Sequence, residues 1–397
     1  MRFPEFTDEW KECKISDYGT VVTGSTPSTK DVENYEDDGF LWASPADIDG
    51  SKFIERTKIT LSSKGFNRTR KLPPLSVLVV CIGSIGKIAI AKNEMATNQQ
   101  INSIVVNPLH SPGFVYYAII SRFRSYLSAV AVQVVPIISK STFERLPNST
   151  TSLPEQKKIA ALLSLIDERI EVQNAIIKEQ EAQKAALLRR LFDRTLRFPE
   201  FTDEWKKVKL GEVGKMYNGL SGKKAADFGA GYPFITYKMV FDSGVIDMSK
   251  VSYVEIGPGE KQNKVREGDI FFTTSSETID EVGMSSVLLR DADNLFLNSF
   301  CFGYRLNTPN LTTSQYLGYM LRGPQMRMRI SSLGQGITRF NISKEKVADL
   351  QIAIPSLAEQ KKIAALLSAI DERIAVEKEY AAFLQKQKAY LLRQMFV

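Results

Sequence analysis

Apolar residues recur at steps of three and four along two long stretches of this chain. In the first, Ile159, Leu162, Leu163, Ile166, Ile170 and Ile177 keep the step, and Leu187, Leu188 and Leu191 close it. In the second, Ile363, Leu366, Leu367, Ile370, Ile374, Leu384, Leu391 and Leu392 do the same. One face of a helix carries that spacing. Pro154 stands at a first helical turn, where a missing N–H costs nothing, and Glu155 sits by the positive helix end. Neither Gly nor Pro interrupts Glu155 to Arg197. Each stretch predicts a helix of about 38 residues, roughly 57 Å long at the α-helical rise. Such length exceeds the needs of one globular domain, so the two are expected to pair as a coiled coil. Gln173, Gln180 and Lys184 fall near the seam of the first, and Glu377 and Lys388 near that of the second. Polar seam residues fix register at some cost in stability.

Elsewhere the pattern shortens to apolar runs bounded by turn residues. Val77–Ile82, Lys87–Ala91 and Ile101–Val106 predict strands, and Phe114–Leu127 a helix. Further on, Asp269–Thr274, Ser286–Leu289 and Phe300–Leu306 predict strands, and Ser314–Ile330 a helix. Each series then enters its long helix through a related phrase, Ile138-Ser-Lys140 and Ile342-Ser-Lys344, read as a short helical turn with a proline-marked stop at Pro147 and Pro355.

The wording repeats along with the pattern. Arg2-Phe-Pro-Glu-Phe-Thr-Asp-Glu-Trp-Lys11 returns letter for letter as Arg197–Lys206. Glu155–Ser164 returns as Glu359–Ser368, and Ile166-Asp-Glu-Arg-Ile170 as Ile370–Ile374. The segments between these blocks share little wording. Joining Val397 to Met1 would recreate the junction that follows the first helix, so the repeat is cyclic in phase. A pseudo-twofold object with antiparallel helices and two diverged heads is the simplest fold.

Composition narrows the class. A chain of 397 residues with 43% hydrophobic and 24% charged residues reads as two or three soluble domains. The start is polar, without a secretory signal. The most apolar run, Leu75–Ala91, is short for a membrane span and holds two glycines, so it reads as two strands around a turn. Cys13, Cys81 and Cys301 fit neither a disulfide frame nor a zinc site, and the cytoplasm is the expected compartment. The net charge of +7 suggests a polyanion partner. Between Arg56 and Ser141 the only acid is Glu94, and between Asn294 and Lys344 there is none. Each head thus carries a stretch whose one-sided charge suits phosphates.

Catalysis finds little support. The single histidine, His110, lies between Pro108 and Pro112 in a turn. Gly83-Ser-Ile-Gly-Lys87 resembles the end of a phosphate-binding loop, but Cys81 and Ile88 stand where that loop needs Gly and Ser or Thr. It reads as a tight turn between strands. Dinucleotide, amino-methyltransferase and metal-ligand spacings are absent from the sequence.

These phrases together resemble the specificity subunit of type I restriction–modification systems. The resemblance rests on Leu153-Pro-Glu-Gln-Lys-Lys-Ile-Ala160, Leu357-Ala-Glu-Gln-Lys-Lys-Ile-Ala364 and the Ile-Asp-Glu-Arg-Ile after each. The openings Trp10-Lys11…Ile15 and Trp205-Lys206…Leu210-Gly211 fit as well. In the first head, Gly24-Ser-Thr-Pro-Ser28, Trp42-Ala-Ser44, Gly83–Lys87 and Asn98-Gln-Gln-Ile101 are similar to phrases of the family's recognition domains. In the second, Asn218-Gly-Leu-Ser-Gly-Lys223 replaces the Gly-Ser-Thr-Pro loop. The resemblance implies an α+β chain with two mixed α/β target-recognition domains, joined by two long antiparallel coiled-coil helices. The expected division is 1–152 and 195–356 for the domains, with 153–194 and 357–397 for the helices.

The implied function is reading an asymmetric bipartite target in double-stranded DNA while docking two methyltransferase (modification) subunits, which restriction/translocase subunits join. The chain would be non-catalytic and hold no cofactor; S-adenosylmethionine, ATP and Mg are expected in the partners. Polar loop residues suit base edges, and Lys or Arg the backbone. The candidates in the first head are Ser25, Thr26, Ser28, Lys30, Ser44, Lys64, Asn67, Arg68, Arg70, Ser84, Lys87, Asn98, Gln99 and Lys140. In the second they are Asn218, Ser221, Lys223, Lys224, Tyr237, Lys238, Thr274, Ser276, Arg339 and Lys344. An architectural adaptor, holding two protein-binding heads on a coiled coil, is the alternative.

Overall fold

The computed structural model describes residues 1–129, 137–290 and 293–396. The chain forms two units, Met1–Ala175 with Lys378–Val397, and Ile176–Glu377. Each therefore takes one head and a part of both long helices.

The strands of unit 1 are β1 (Lys11–Lys14), β2 (Gly19–Thr23), β3 (Tyr35–Ala43), β4 (Phe53–Ile54), β5 (Thr60–Leu61), β6 (Val77–Val80), β7 (Ile88–Ala91), β8 (Ala96–Thr97), β9 (Ile101–Val106) and β10 (Pro147–Thr150). Its helices are α1 (Ser63–Asn67), α2 (Pro112–Ala129), α3 (Lys140–Glu144) and the first part of α4 (Leu153–Phe192). The main sheet has the order β2-β9-β6-β7-β4, a second has β5-β3-β8, and β1 pairs with β10. Strands β6 and β7 are buried throughout because both faces of the sheet are covered. Val77, Val79, Ile88 and Ile90 pack with Phe114 and Tyr117 of α2 and with Ile159 and Leu163 of α4. Leu78, Val80, Ala89 and Ala91, one step out of phase, pack with Ala43, Leu72 and Met95.

Unit 2 repeats this plan. Its strands are β11 (Lys206–Lys209), β12 (Gly214–Asn218), β13 (Phe228–Ile235), β14 (Ser252–Val254), β15 (Ile270–Thr273), β16 (Ser275–Ser276), β17 (Ser285–Val287), β18 (Phe296–Leu297), β19 (Cys301–Leu306), β20 (Phe340–Asn341) and β21 (Gln351–Ile354). Its helices are α5 (Leu210–Val213), α6 (Tyr237–Asp242), α7 (Ser314–Arg322), α8 (Pro324–Ser331), α9 (Lys344–Ala348) and the first part of α10 (Leu357–Met395). The order β12-β19-β15-β17 matches β2-β9-β6-β7, and β14-β13-β18 matches β5-β3-β8. The parallel pair β4–β7 has its counterpart in a bridge between Val245 and Val287. Two heads with little shared wording thus have one topology.

Each repeated phrase bonds to the other repeated phrase within its own unit. Arg2 donates through Nε and Nη2 to Glu155 at 2.7 and 2.8 Å, and Arg197 does so to Glu359 at 2.8 and 2.9 Å. Lys158 pairs with Glu5 beneath the Phe3 ring, and Lys362 with Glu200 beneath Phe198. Glu155 and Glu359 are both fully buried. Burial alone would raise the Glu155 carboxyl, but hydrogen bonds from Arg2 and Thr151 and the Arg2 charge outweigh it and hold the group below the ordinary range.

The long helices run antiparallel within each unit. In unit 1, Leu391 and Leu392 of α10 share a core with Ile159 and Leu163 of α4, while Lys388 pairs with Asp167 at 2.5 Å and Arg169 meets Tyr380. In unit 2, Leu188 and Leu191 share a core with Ile363 and Leu367, and Lys184 pairs with Asp371.

Three expectations need correction. The helix expected across Ser314–Ile330 is two, because Pro324 lacks the N–H a continuing helix requires and instead starts α8 after Gly323. Strand β6 ends at Val80, and Ile82 leaves it to bridge Ile137. Lys87 lies in the turn before β7 rather than within a strand; there Gly83 and Gly86 take φ of 78° and 97°. Among the described residues no helix is long and apolar enough to cross a membrane.

Candidate nucleic-acid interface

In unit 1 the polar loops gather where β2, β3, β6 and β8 end. Ser25 N–H donates to Thr97 O at 2.8 Å, Asn98 N–H to Ala43 O at 2.9 Å and Cys81 N–H to Gln100 O at 2.8 Å, so backbone bonds lace the loops together. Side chains complete the lacing. Thr26 Oγ1 donates to Gln99 Oε1 at 2.5 Å, Arg70 Nη1 to Thr23 O at 2.7 Å and Lys87 Nζ to Pro45 O at 3.0 Å. Ser44 Oγ, from the same turn as Pro45, bonds Asp47 at 2.7 Å. Thus Ser25, Thr26, Ser44, Arg70, Ser84, Lys87, Asn98 and Gln99 come together, although they span 75 positions of sequence from 25 to 99. Ser28 and Lys30 lie exposed on the loop after β2, and Lys140 opens α3, 3.6 Å from Glu144.

Unit 2 gathers its loops in the same place. Leu220 N–H donates to Leu297 O at 2.7 Å, Thr274 N–H to Phe300 O at 2.9 Å and Ile342 N–H to Thr274 O at 2.9 Å. Two clefts open along Thr274–Ser276. One, of about 390 Å³, is lined by Asn218, Ser221, Thr274 and Lys344, with Lys344 bonded to Asn218 Oδ1. The other, of about 330 Å³, is lined by Tyr237, Phe241, Ser276, Glu277, Glu281, Phe300 and Arg339. Tyr237 donates to Ser275 O at 2.6 Å and stacks on Phe241, which fixes its ring. Burial raises its phenol, with Glu281 adding to the rise and Arg339 opposing it. Lys223 points inward onto Glu260 at 2.6 Å, Lys224 is exposed, and Lys238 lies 3.5 Å from Asp242 on α6.

A family model for the type I restriction modification DNA specificity domain matches residues 7–182 and again 202–385. The chain belongs to that family. The MjaIX specificity subunit of Methanocaldococcus jannaschii is 24% identical, with 98% of this chain and 92% of that protein covered. The EcoKI specificity subunit of Escherichia coli K12 is 22% identical over 91% of this chain and 82% of that one. The S subunit of M. genitalium superposes with a TM-score of 0.60 at 15% identity, covering 98% and 96% of the two chains. A chain from a study of complex assembly and conformational transition of the type I R-M system gives a TM-score of 0.60 at 19% identity, covering 96% of each. These likenesses show the fold. The protein is a type I specificity subunit with DNA-recognition domains, a class that is non-catalytic by itself.

Within this specificity subunit the basic residues divide by task. The one-sided charge of the acid-poor windows is offset in part, because carboxylates arrive from elsewhere in the chain. Asp31 takes Arg68 at 2.8 Å and Lys64 at 3.2 Å, Glu33 also takes Lys64, and Glu55 takes Lys92 at 2.5 Å. Asn67, on the same helix, accepts from Lys71 at 2.7 Å. In unit 2, Arg305 is bonded to Asp269 at 2.6 Å. Arg322 is half-buried and donates to the carbonyls of Ser285, Val240, Phe241 and Ser243, and its desolvation lowers it to about 10. Arg327 likewise serves the carbonyls of Gly283, Val282 and Asp280. Arg339 and Lys224 remain exposed on the loops.

Sequence reasoning passed over Gln100, Glu277, Glu281 and Phe300. The available signal was register: Asn98-Gln99-Gln100 enters β9 as Asn298-Ser299-Phe300 enters β19, so Gln100 and Phe300 hold equivalent positions. The two glutamates carried no such signal, since they follow β16 in a loop without a matching phrase in unit 1.

Proposed function

We propose that the two heads read two unlike half-sites of one double-stranded DNA target, and that the long helices set the stretch between them. The carrying observation is that the heads share strand order while the residues on their converging loops differ. A shared frame holds both sets of loops alike, and different side chains then ask for different bases. In this reading Ser25, Thr26, Ser44, Asn98 and Gln99 of one head, and Asn218, Ser221, Thr274, Ser276 and Arg339 of the other, face base edges. Lys30, Arg70, Lys87, Lys140, Lys224 and Lys344 meet phosphates. The duplicated helix starts dock two modification subunits that hold S-adenosylmethionine and the catalytic groups. Restriction subunits using ATP and Mg join them, in the cytoplasm.

The test is methylome sequencing of cells expressing the chain with its modification subunits. One split motif with unlike halves is expected; a palindromic motif, or none, would contradict the reading. Binding to random duplex DNA is expected to weaken steeply with salt, as counterion release requires. Salt-insensitive binding would favour an adaptor.

A further inference from the structure

The cleft lined by Tyr237, Ser276 and Arg339 in unit 2 has an unusual lining for a surface that meets DNA. Carboxylates repel phosphates, so a pair of glutamates on such a loop costs affinity unless they discriminate between bases. Glu281 is held in place, with Oε2 accepting from Thr278 Oγ1 at 2.6 Å and Ser276 Oγ at 3.4 Å, while Oε1 takes no hydrogen bond among the described residues. Glu277 is exposed on the same loop. Arg339, also exposed, lines the same cleft, together with the fixed ring of Tyr237 and the Phe300 ring, 60% exposed. The cleft thus offers acceptor oxygens, a forked donor and aromatic faces in one lining.

A base pair complementary to that lining must present a donor and a pair of acceptors along one edge. In the major groove cytosine presents its N4 amine, and guanine presents N7 and O6. An A·T pair offers adenine N6 to a carboxylate, but its two acceptors, adenine N7 and thymine O4, lie on either side of that amine, so a guanidinium cannot take both at once as it takes guanine N7 and O6. The equivalent place in unit 1 carries Gln100, whose Oε1 accepts from Asn98 Nδ2 at 2.9 Å, and Lys87 on Pro45 O. Its amide and ammonium lack the pairing of carboxylate with guanidinium.

Building on the two-headed reading, we propose that this cleft reads a G·C pair in the half-site of unit 2, with Arg339 on guanine and Glu281, assisted by Glu277, on cytosine. The glutamates act chiefly by refusal, since a carboxylate rejects any base that shows only acceptors there.

The test offers a randomised duplex pool to the full chain assembled with its modification subunits and sequences the bound duplexes. The unaltered protein should return two unlike half-sites, one with a required G·C pair. Arg339→Ala should reduce discrimination at that pair by about 10-fold or more. Glu281→Gln and Glu277→Gln should admit other bases on the cytosine side and strengthen binding to non-target duplex. The other half-site, unchanged in every variant, reports that the chain is folded and assembled. The proposal is overturned if the Arg339 and Glu281 variants return the original motif, if the position that relaxes is A·T, or if both half-sites lose definition together. A wild-type pool with no split motif would instead bring down the two-headed reading itself.

Discussion

Arg322 and Glu155 are charged residues engaged inside the fold rather than by a partner. Arg322 spends its guanidinium on four backbone carbonyls inside unit 2. Arg322→Leu would leave those partly buried acceptors unpaired, and is expected to destabilise unit 2 by about 2 kcal/mol. Denaturant unfolding measures the loss, and the salt slope of DNA binding should not move. Glu155 makes a different prediction. Its folded pKa lies below the ordinary carboxylate value near 4.5, so its contribution to stability is complete above that value and disappears as pH falls through the lower folded one. Melting temperature against pH should therefore fall less steeply below pH ~5 for Glu155→Gln than for the unaltered chain, from a lower starting point at neutral pH. Parallel curves would contradict the role given to the Arg2 clamp.

At the scale of elements, a Tyr–Asp–Lys set joins head, helix and helix in each unit. Tyr117 of α2 donates to Asp167 of α4 at 2.6 Å, and Lys388 of α10 meets the other oxygen. Tyr319 of α7 donates to Asp371 of α10 at 2.8 Å, and Lys184 of α4 completes that set. Exposure separates the two: side chains of the first pair are 23% and 11% exposed, those of the second 26% and 38%. Double-mutant cycles should give a coupling of about 2 kcal/mol for Lys388 with Asp167 and about 0.5 kcal/mol for Lys184 with Asp371. Equal couplings would mean that burial does not set their strength.

These elements also mark what could be read from the sequence. Lys184 and Lys388 were legible as seam residues from periodicity alone, and Ile101–Val106 was legible as a strand because turn chemistry bounds it on both sides. Gly323-Pro324 was passed over because apolar spacing continues through it, although proline restarts a helix as readily as it ends one. The clamps were visible as repeated words but not as contacts, since nothing local says that Arg2 must meet a glutamate 153 residues away. The acid-poor windows overstated their one-sidedness for the same reason: Asp31, Glu33 and Glu55 offset part of the first one through space. The candidate loops were found by wording in the first head. In the second the wording had diverged, and topology located what phrases did not.

For the whole molecule, what is duplicated is the frame: strand order, clamps and helix starts. What differs is the set of side chains on the loops. If the helices set the stretch between half-sites, lengthening them must change distance without changing bases. The most direct measurement inserts seven residues after Gln180 in α4 and seven after Ala375 in α10, then sequences the methylome of cells expressing the variant with its modification subunits. Two added turns lengthen each helix by about 10 Å, roughly three base pairs of duplex. The account expects both half-sites unchanged and the unspecified stretch between them longer by about that amount. An altered half-site, or an unchanged stretch between intact half-sites, would contradict it.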